Sequence, residues 1–164
     1  MELEDRYFQH DVFMAEVAVR PAAVNDLPAL EAADDLLIDG SERWSELQHL
    51  LMRGWGLLAE DLGDDPPSVI GYVAVVPRQF FGRDFITLLV VADTWRRRGV
   101  GTQLLNAATK QAATDVVFTS TNASNLKMRA LLRREDWLIS GTLDGLDDGD
   151  PEVVYFRRAQ RRRA

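Results

Sequence analysis

Three consecutive arginines, Arg96, Arg97 and Arg98, stand directly before a glycine-rich stretch at 99–102. Guanidinium groups match phosphate oxygens with paired hydrogen bonds. Gly99 and Gly101 carry no Cβ, so a ligand can approach the main chain closely. A predicted helix begins here, and its first backbone N–H groups attract anions. The stretch therefore predicts a phosphate or pyrophosphate site made by Arg96, Arg97, Arg98, Gly99, Val100, Gly101 and Thr102.

A second interpretation of the same stretch stays open. It is a basic surface turn whose glycines only fit a tight connection between a strand and a helix. Two other phosphate loops are excluded, because the sequence has neither Gly-x-x-x-x-Gly-Lys-Ser/Thr nor an N-terminal Gly-x-Gly-x-x-Gly with the acidic residue that follows it.

The elements around the stretch can be predicted from hydrophobic periodicity. Residues 85–91 are almost all apolar, which indicates a strand covered on both faces. Apolar side chains at helical spacing follow, from Val100 to Ala112. Another strand is predicted at 68–76 and is expected to end at Pro77. The whole chain favours the order β-α-α-β-β-β-α-β-α-β-β, a mixed sheet with helices on its faces.

Composition narrows the classes of function. The 164 residues fit one domain, and the absence of cysteine excludes disulfides, thiolate metal sites and a cysteine nucleophile. Only His10 and His49 are present, so we expect no metal. The net charge of −7 disfavours nucleic acid as a partner. With no membrane-length apolar run and an acidic N-terminus, we expect no membrane association and a cytoplasmic location.

Arg96-Arg97-Arg98-Gly99-Val100-Gly101 resembles the Arg/Gln-x-x-Gly-x-Gly/Ala motif of the GNAT superfamily of N-acetyltransferases. The resemblance implies an α/β (α+β) fold in a single GNAT-like domain at 15–158. Its central sheet would be mixed and mostly antiparallel, with about seven strands flanked by about four helices, and splayed between the fourth and fifth strands. An N-terminal extension at 1–14 and a basic tail at 159–164 would flank this domain.

The resemblance also implies acetyl-coenzyme A as co-substrate, with its pyrophosphate on the arginine-rich loop. In the family the pantetheine arm lies in the splay, where Val90 and Val91 would supply backbone hydrogen bonds. Asn125 matches the asparagine of the family pattern Asn-x-x-Ala-x-x-x-Tyr-x-x-x-Gly-Phe, which contacts the cofactor arm. Asn122 is a second candidate, and helix capping is the alternative role for both.

One departure from the family pattern bears on catalysis. The family tyrosine that protonates the leaving thiolate falls at Leu132, which cannot donate a proton. Asp136 also replaces the usual glycine, and Asp93 replaces the usual proline. These changes affect the mechanism more than the fold.

The implied reaction is acetyl transfer to a primary amine of a small molecule or peptide by direct attack. A carboxylate should remove the amine proton, and Glu60, Asp84 and the loop 147–150 are the candidates. Tyr155 or Tyr72 could give a proton to the thiolate, and core packing is the alternative for each. Of these groups, we carry Glu60 and Tyr155 forward as the catalytic candidates.

Two other functions remain compatible with the sequence. A non-catalytic acyl-coenzyme A sensor keeps the phosphate loop and explains the missing tyrosine. An interaction module would use the apolar helix faces and would leave the arginines as solvated charge. The oligomeric state is open, although a homodimer is common for this fold.

Overall fold

The computed structural model describes residues 16–159. The predicted extension 1–14 and the tail from residue 160 onward lie outside this part of the chain. Ala159, where the tail was expected to begin, still contacts the domain. Its N–H donates to the carbonyl of Asp115 at 2.9 Å, and its side chain packs against a core cluster.

The described residues form seven strands and four helices, with short 3-10 turns between some of them. In chain order these are β1 (Val17–Pro21), α1 (Leu27–Leu30), α2 (Glu42–Met52), β2 (Gly56–Asp61), β3 (Ser68–Phe80), β4 (Arg83–Val91), α3 (Val100–Gln111), β5 (Val116–Asn122), α4 (Leu126–Arg134), β6 (Leu138–Leu143) and β7 (Glu152–Arg158). The predicted order of elements is confirmed.

The strands form one sheet in the order β1-β2-β3-β4-β5-β7-β6. Neighbouring strands are antiparallel except for β4 and β5, which are parallel. The register between β4 and β5 covers only Asp84–Ile86 against Val117–Thr119. The remaining residues, 87–91 of β4 and 120–122 of β5, diverge, and we call the space between them the β4–β5 gap. The predicted splay between the fourth and fifth strands is thus confirmed.

Helices cover both faces of the sheet. Adjacent residues of a strand point to opposite faces, so one strand contributes side chains to both cores. Leu57 of β2 belongs to the core cluster that contains α3 and α4, with Leu104 and Leu132 fully buried. Leu58, its neighbour, belongs to the second cluster, which α1 and α2 form on the other face. Two cores therefore fix the sheet from either side.

The prediction that Pro77 ends the third strand is wrong. β3 continues to Phe80, but its register with β4 passes from Val76 directly to Phe80. Arg78, within this interval, has a left-handed φ of 56°. Proline lacks an N–H, and here the strand makes no regular pairing that would need one, so it is tolerated.

Candidate active site

The arginine-rich loop joins the end of β4 to the start of α3. Gly99 is the residue before the helix, with a φ of 84° that favours glycine, and it provides no side-chain cap. Arg97 is also left-handed, with a φ of 60°. The first N–H groups of a helix have no partner within the helix. Without a capping side chain at Gly99, these groups at the start of α3 can receive an anion.

The three arginines directly precede Gly99 and this helix start, and all are exposed. Arg96 is bound on two sides, with its Nη2 at 2.6 Å from the Asp93 carboxylate and its Nε donating to the Val91 carbonyl at 3.3 Å. Arg98 stacks over the ring of Trp95 at 5.0 Å. These contacts hold positive charge at the end of β4.

Gly101 lies where the first turn of α3 packs against its neighbours. A Cβ at this position would lie 3.0 Å from Leu131 Cδ2 of α4 and 3.8 Å from Val91 Cγ2 of β4. A side chain at 101 would need only a small shift of the Leu131 side chain, and its absence leaves the backbone of the helix start open to a ligand.

α4 brings a further arginine to the loop that the sequence did not reveal. Thr102 Oγ1 donates to Glu135 Oε1 at 2.7 Å and accepts from Arg134 Nη2 at 3.2 Å. Arg134 is 32 residues away from Thr102 in the chain. No local motif marks this contact, which depends on how α3 and α4 pack.

The direction of the backbone groups of β4 follows from one hydrogen bond. Ala92 N–H donates to the Ile70 carbonyl at 2.9 Å, so these two residues form a hydrogen-bonded pair. Such pairs alternate along antiparallel strands, which makes Val90 the next residue bonded to β3. The Val90 carbonyl oxygen accordingly lies 2.7 Å from the position that a Cβ on Gly71 of β3 would take.

The residues between these pairs face the other way. Val91 and Leu89 therefore present their backbone groups to the β4–β5 gap. The contact of Arg96 with the Val91 carbonyl agrees with this direction. Of the two residues expected to bond a cofactor arm, the structure places Val91 toward the gap and Val90 toward β3. Leu89 replaces Val90 as the second candidate.

Both candidate asparagines have partners at the end of β5. Asn125 caps α4, because its Oδ1 accepts the Met128 N–H at 3.1 Å, and its Nδ2 donates to Thr121 Oγ1 at 3.0 Å. Asn122 Nδ2 donates to Asp147 Oδ2 at 2.7 Å. The capping role is therefore present for Asn125, whereas Asn122 instead holds the loop between β6 and β7.

The acidic loop 144–150 is fastened to the β5–α4 turn at a second point. Asp150 accepts hydrogen bonds from the Ser124 hydroxyl at 2.6 Å and the Ser124 N–H at 2.9 Å. These bonds hold the pKa of Asp150 below its ordinary value. The loop, a source of candidate bases in the sequence, thus lies against the β5 side of the gap.

Neither of the other two candidate bases lies at the gap. Glu60 accepts from Arg20 at 2.7 Å, and β3 separates its strand from β4. Asp84 is 1% exposed and accepts the N–H groups of Arg78 and Ala113 at 3.1 and 2.6 Å. It also lies at the start of β4, at the end opposite to Val91. Both carboxylates have hydrogen-bond partners in the structure. Neither is brought together with the arginine-rich loop.

Tyr155 lies in β7 opposite Thr119, the last residue of β5 that pairs with β4. This register places it at the level where the gap begins. Its side chain is buried, and its hydroxyl accepts a hydrogen bond from Arg129 Nε at 3.2 Å. Leu132, at the position of the family tyrosine, belongs to the same core cluster and is fully buried.

Tyr72 is part of a buried network between β3 and α2. Its hydroxyl donates to Asp34 Oδ2 at 2.5 Å, and Arg43 Nε donates to the same oxygen at 2.6 Å. The other oxygen of Asp34 accepts the Leu36 N–H at 3.0 Å. Burial and the bond to Asp34 raise the pKa of Tyr72 far above its ordinary value. The network indicates a structural role for Tyr72.

This shift predicts a loss of stability in alkali. The ordinary pKa of tyrosine is 10.0. Above that pH, Tyr72 ionises in the unfolded chain but stays neutral in the folded one. Unfolding then releases a proton, so the free energy of unfolding falls as the pH rises. Urea unfolding between about pH 8 and pH 11 should show a steeper decline for the native protein than for Tyr72→Phe. Equal slopes would contradict the shift.

Residues 16–159 offer neither a metal-binding cluster nor a membrane-spanning helix. No group of three or more His, Cys, Asp or Glu side chains is arranged to hold a metal ion. No helix within the same range combines the length and the apolar character needed to cross a membrane.

Comparison with known proteins identifies the fold. The model of the acetyltransferase (GNAT) family matches residues 28–135. A GNAT-family acetyltransferase from Bacillus cereus ATCC 10987 is 28% identical, with a TM-score of 0.79, covering 89% of this chain and 99% of that one. The ribosomal-protein-alanine N-acetyltransferase from Brucella melitensis is 25% identical, with a TM-score of 0.64 and coverages of 86% and 99%.

The yncA protein of Salmonella typhimurium, solved with its cofactor acetyl-CoA, shares the fold at 18% identity. Its TM-score is 0.66, over 90% of this chain and 96% of that one. No curated protein matches the sequence significantly. Since the family model spans more than half of the chain and the sheet has the splayed topology expected of it, the chain belongs to the GNAT acetyltransferase family.

Proposed function

We propose that the protein transfers an acetyl group from acetyl-coenzyme A to a primary amine of a small molecule or peptide. One observation carries the proposal: the uncapped start of α3 and its arginines stand directly beside the free edge of β4. A pyrophosphate on this loop would place an extended arm in the β4–β5 gap. Family membership agrees with this reaction class.

The residues present fit such a cofactor. The first N–H groups of α3 and the guanidinium groups of Arg96, Arg97 and Arg98 would hold the pyrophosphate. Arg134 adds charge beside Thr102. Along the gap, Val91 and Leu89 would bond the amides of the arm through their backbone. Asn122 and Asn125 would contact the arm from the β5 side, after giving up side-chain bonds that they make now.

The bound thioester supplies the electrophilic carbonyl, and an amine attacks it directly because the chain has no cysteine nucleophile. A backbone N–H of β4 that faces the gap near Val91, such as that of Leu89, would donate to the oxyanion as it forms. The Tyr155 hydroxyl would give its proton to the leaving sulfur. Glu60 is bound to Arg20, and its strand β2 is separated from β4 by β3. We therefore assign removal of the amine proton to solvent water and not to this carboxylate.

A thiol-release assay tests the proposal cleanly, since the chain has no cysteine that would react with a thiol reagent. Acetyl-coenzyme A would be incubated with spermidine, an alanine-initiated peptide, or an N-blocked peptide with one lysine. We expect at least one amine to accelerate release of coenzyme A and to gain one acetyl group by mass spectrometry. Failure of all three amines would count against acetyl transfer to these classes.

A second candidate function is a non-catalytic acyl-coenzyme A sensor. The observation that favours it is the fully buried Leu132 at the position of the family tyrosine. The sensor predicts acetyl-coenzyme A binding by calorimetry without turnover of any amine. Absence of binding to the folded protein would contradict both candidate functions.

A further inference from the structure

Arg129 of α4 connects two points on the β5 side of the gap. Its Nε donates to the Tyr155 hydroxyl at 3.2 Å, and its Nη1 donates to the Ala123 carbonyl at 2.8 Å. Both contacts are partly buried. A planar guanidinium bound through two nitrogens has little rotational freedom, so its position relative to the tyrosine is fixed.

The two contacts mark the ends of the unpaired part of β5. Tyr155 stands opposite Thr119, where pairing with β4 stops, and Ala123 follows directly after the last residue of β5. The guanidinium therefore lies alongside β5 residues 120–122, which border the gap. Tyr155 belongs to the core cluster on the α3 and α4 face, so its hydroxyl lies on the α4 side of β5, the strand that borders the gap.

The direction of the hydrogen bond decides what the tyrosine can do. A guanidinium has only donors, so Tyr155 accepts in this contact and its own O–H proton is not used. That proton can be donated to another acceptor. Leu132, one turn further along α4 from Arg129, has no proton to give.

We propose that Arg129 is a positioning residue that holds Tyr155 as the proton donor to the leaving thiolate, in place of the tyrosine missing at 132. This inference rests on the proposed acetyl transfer. The amine nitrogen bonds to the carbonyl carbon, the C–S bond breaks, and its electron pair goes to sulfur. The Tyr155 proton passes to the sulfur. The proton lost by the amine enters the solvent, and the phenolate recovers one from solvent.

The test is a double-mutant cycle on turnover with the best amine of the panel above. Tyr155→Phe should lower kcat about 100-fold, and Arg129→Met about 10-fold or more. The double variant should be no slower than Tyr155→Phe alone, because Arg129 acts through the hydroxyl. Arg129→Lys, which keeps a donor, should recover part of the lost kcat. Arg133→Met on the same helix is the matched control and should retain the native kcat.

Acetyl-coenzyme A dissociation constants from calorimetry and melting temperatures separate this role from a merely structural one. We expect both to stay close to native in Arg129→Met and Tyr155→Phe. Equal loss of kcat on adding Arg129→Met to native and to Tyr155→Phe protein would overturn the inference. So would a native kcat in either single variant. If the native protein acetylated none of the amines, the proposed function would fail first, and the inference with it.

Discussion

Gly101→Asp is expected to weaken acetyl-coenzyme A binding by about 100-fold, which corresponds to about 3 kcal/mol. The new carboxylate would stand in the first turn of α3, beside the position that we propose for the pyrophosphate. Like charges at that distance repel, and the side chain fills space that the ligand needs. The nearest atom to a Cβ at 101 is the flexible end of Leu131, at 3.0 Å, so the fold can accommodate the change.

The same substitution separates binding from stability. A negative charge in the first turn of a helix is favourable to the helix by about 0.3–1 kcal/mol. Gly101→Asp should therefore retain or slightly raise the melting temperature while it abolishes tight binding. Gly141→Asp, in β6 with nothing within 4 Å of its Cβ, is the control for the added charge. If calorimetric titration showed native affinity in Gly101→Asp, the proposal that the cofactor binds to this loop would be contradicted.

Asp34→Ala is expected to lower the free energy of unfolding by about 3 kcal/mol. The carboxylate accepts hydrogen bonds from Tyr72, Arg43 and the Leu36 N–H, and it is 6% exposed. Its removal takes the carboxylate partner away from a buried hydroxyl and a cation. Arg43 retains 27% exposure and can recover some hydration, so we expect the lower end of the range for broken buried pairs.

Urea unfolding at neutral pH measures this effect. Asp35→Ala, the same change at an exposed neighbouring position, should alter stability by no more than about 0.5 kcal/mol. In a cycle with Tyr72→Phe, the double variant should lose less than the sum of the single losses, since both remove the same hydrogen bond. A loss below about 1 kcal/mol in Asp34→Ala would show that the network contributes little net stability.

Much of the fold could be predicted because its signals are local. Apolar runs and helical spacing identified the strands and helices in their correct order. Pro77 misled because a proline rule describes regular pairing, whereas β3 and β4 separate between Val76 and Phe80. Whether a strand residue is paired with its neighbouring strand depends on how the whole sheet is arranged. A short stretch of sequence does not contain that information.

The candidate site likewise has a part that is local in the sequence and a part that is not. The loop 96–102 is contiguous, so its arginines, glycines and helix start could be read together. The environment of Glu60 could not, because its partner Arg20 lies 40 residues away. The contacts of Thr102 with Arg134 and of Tyr155 with Arg129 also join distant segments. The carboxylates and tyrosines were chosen by residue type alone. Their positions relative to the gap therefore could not be predicted from the sequence.

The three-pair ladder between β4 and β5 joins the two halves of the sheet at one end only. An arm bonded to the free edge of β4 would act as a substitute strand along the rest of that edge. A ligand that binds only the folded state stabilises it by mass action, by about 2.7 kcal/mol at a hundredfold excess over Kd. The free energy of unfolding would then rise with the concentration of the cofactor. The protein would resist heat and proteolysis best when its substrate is abundant.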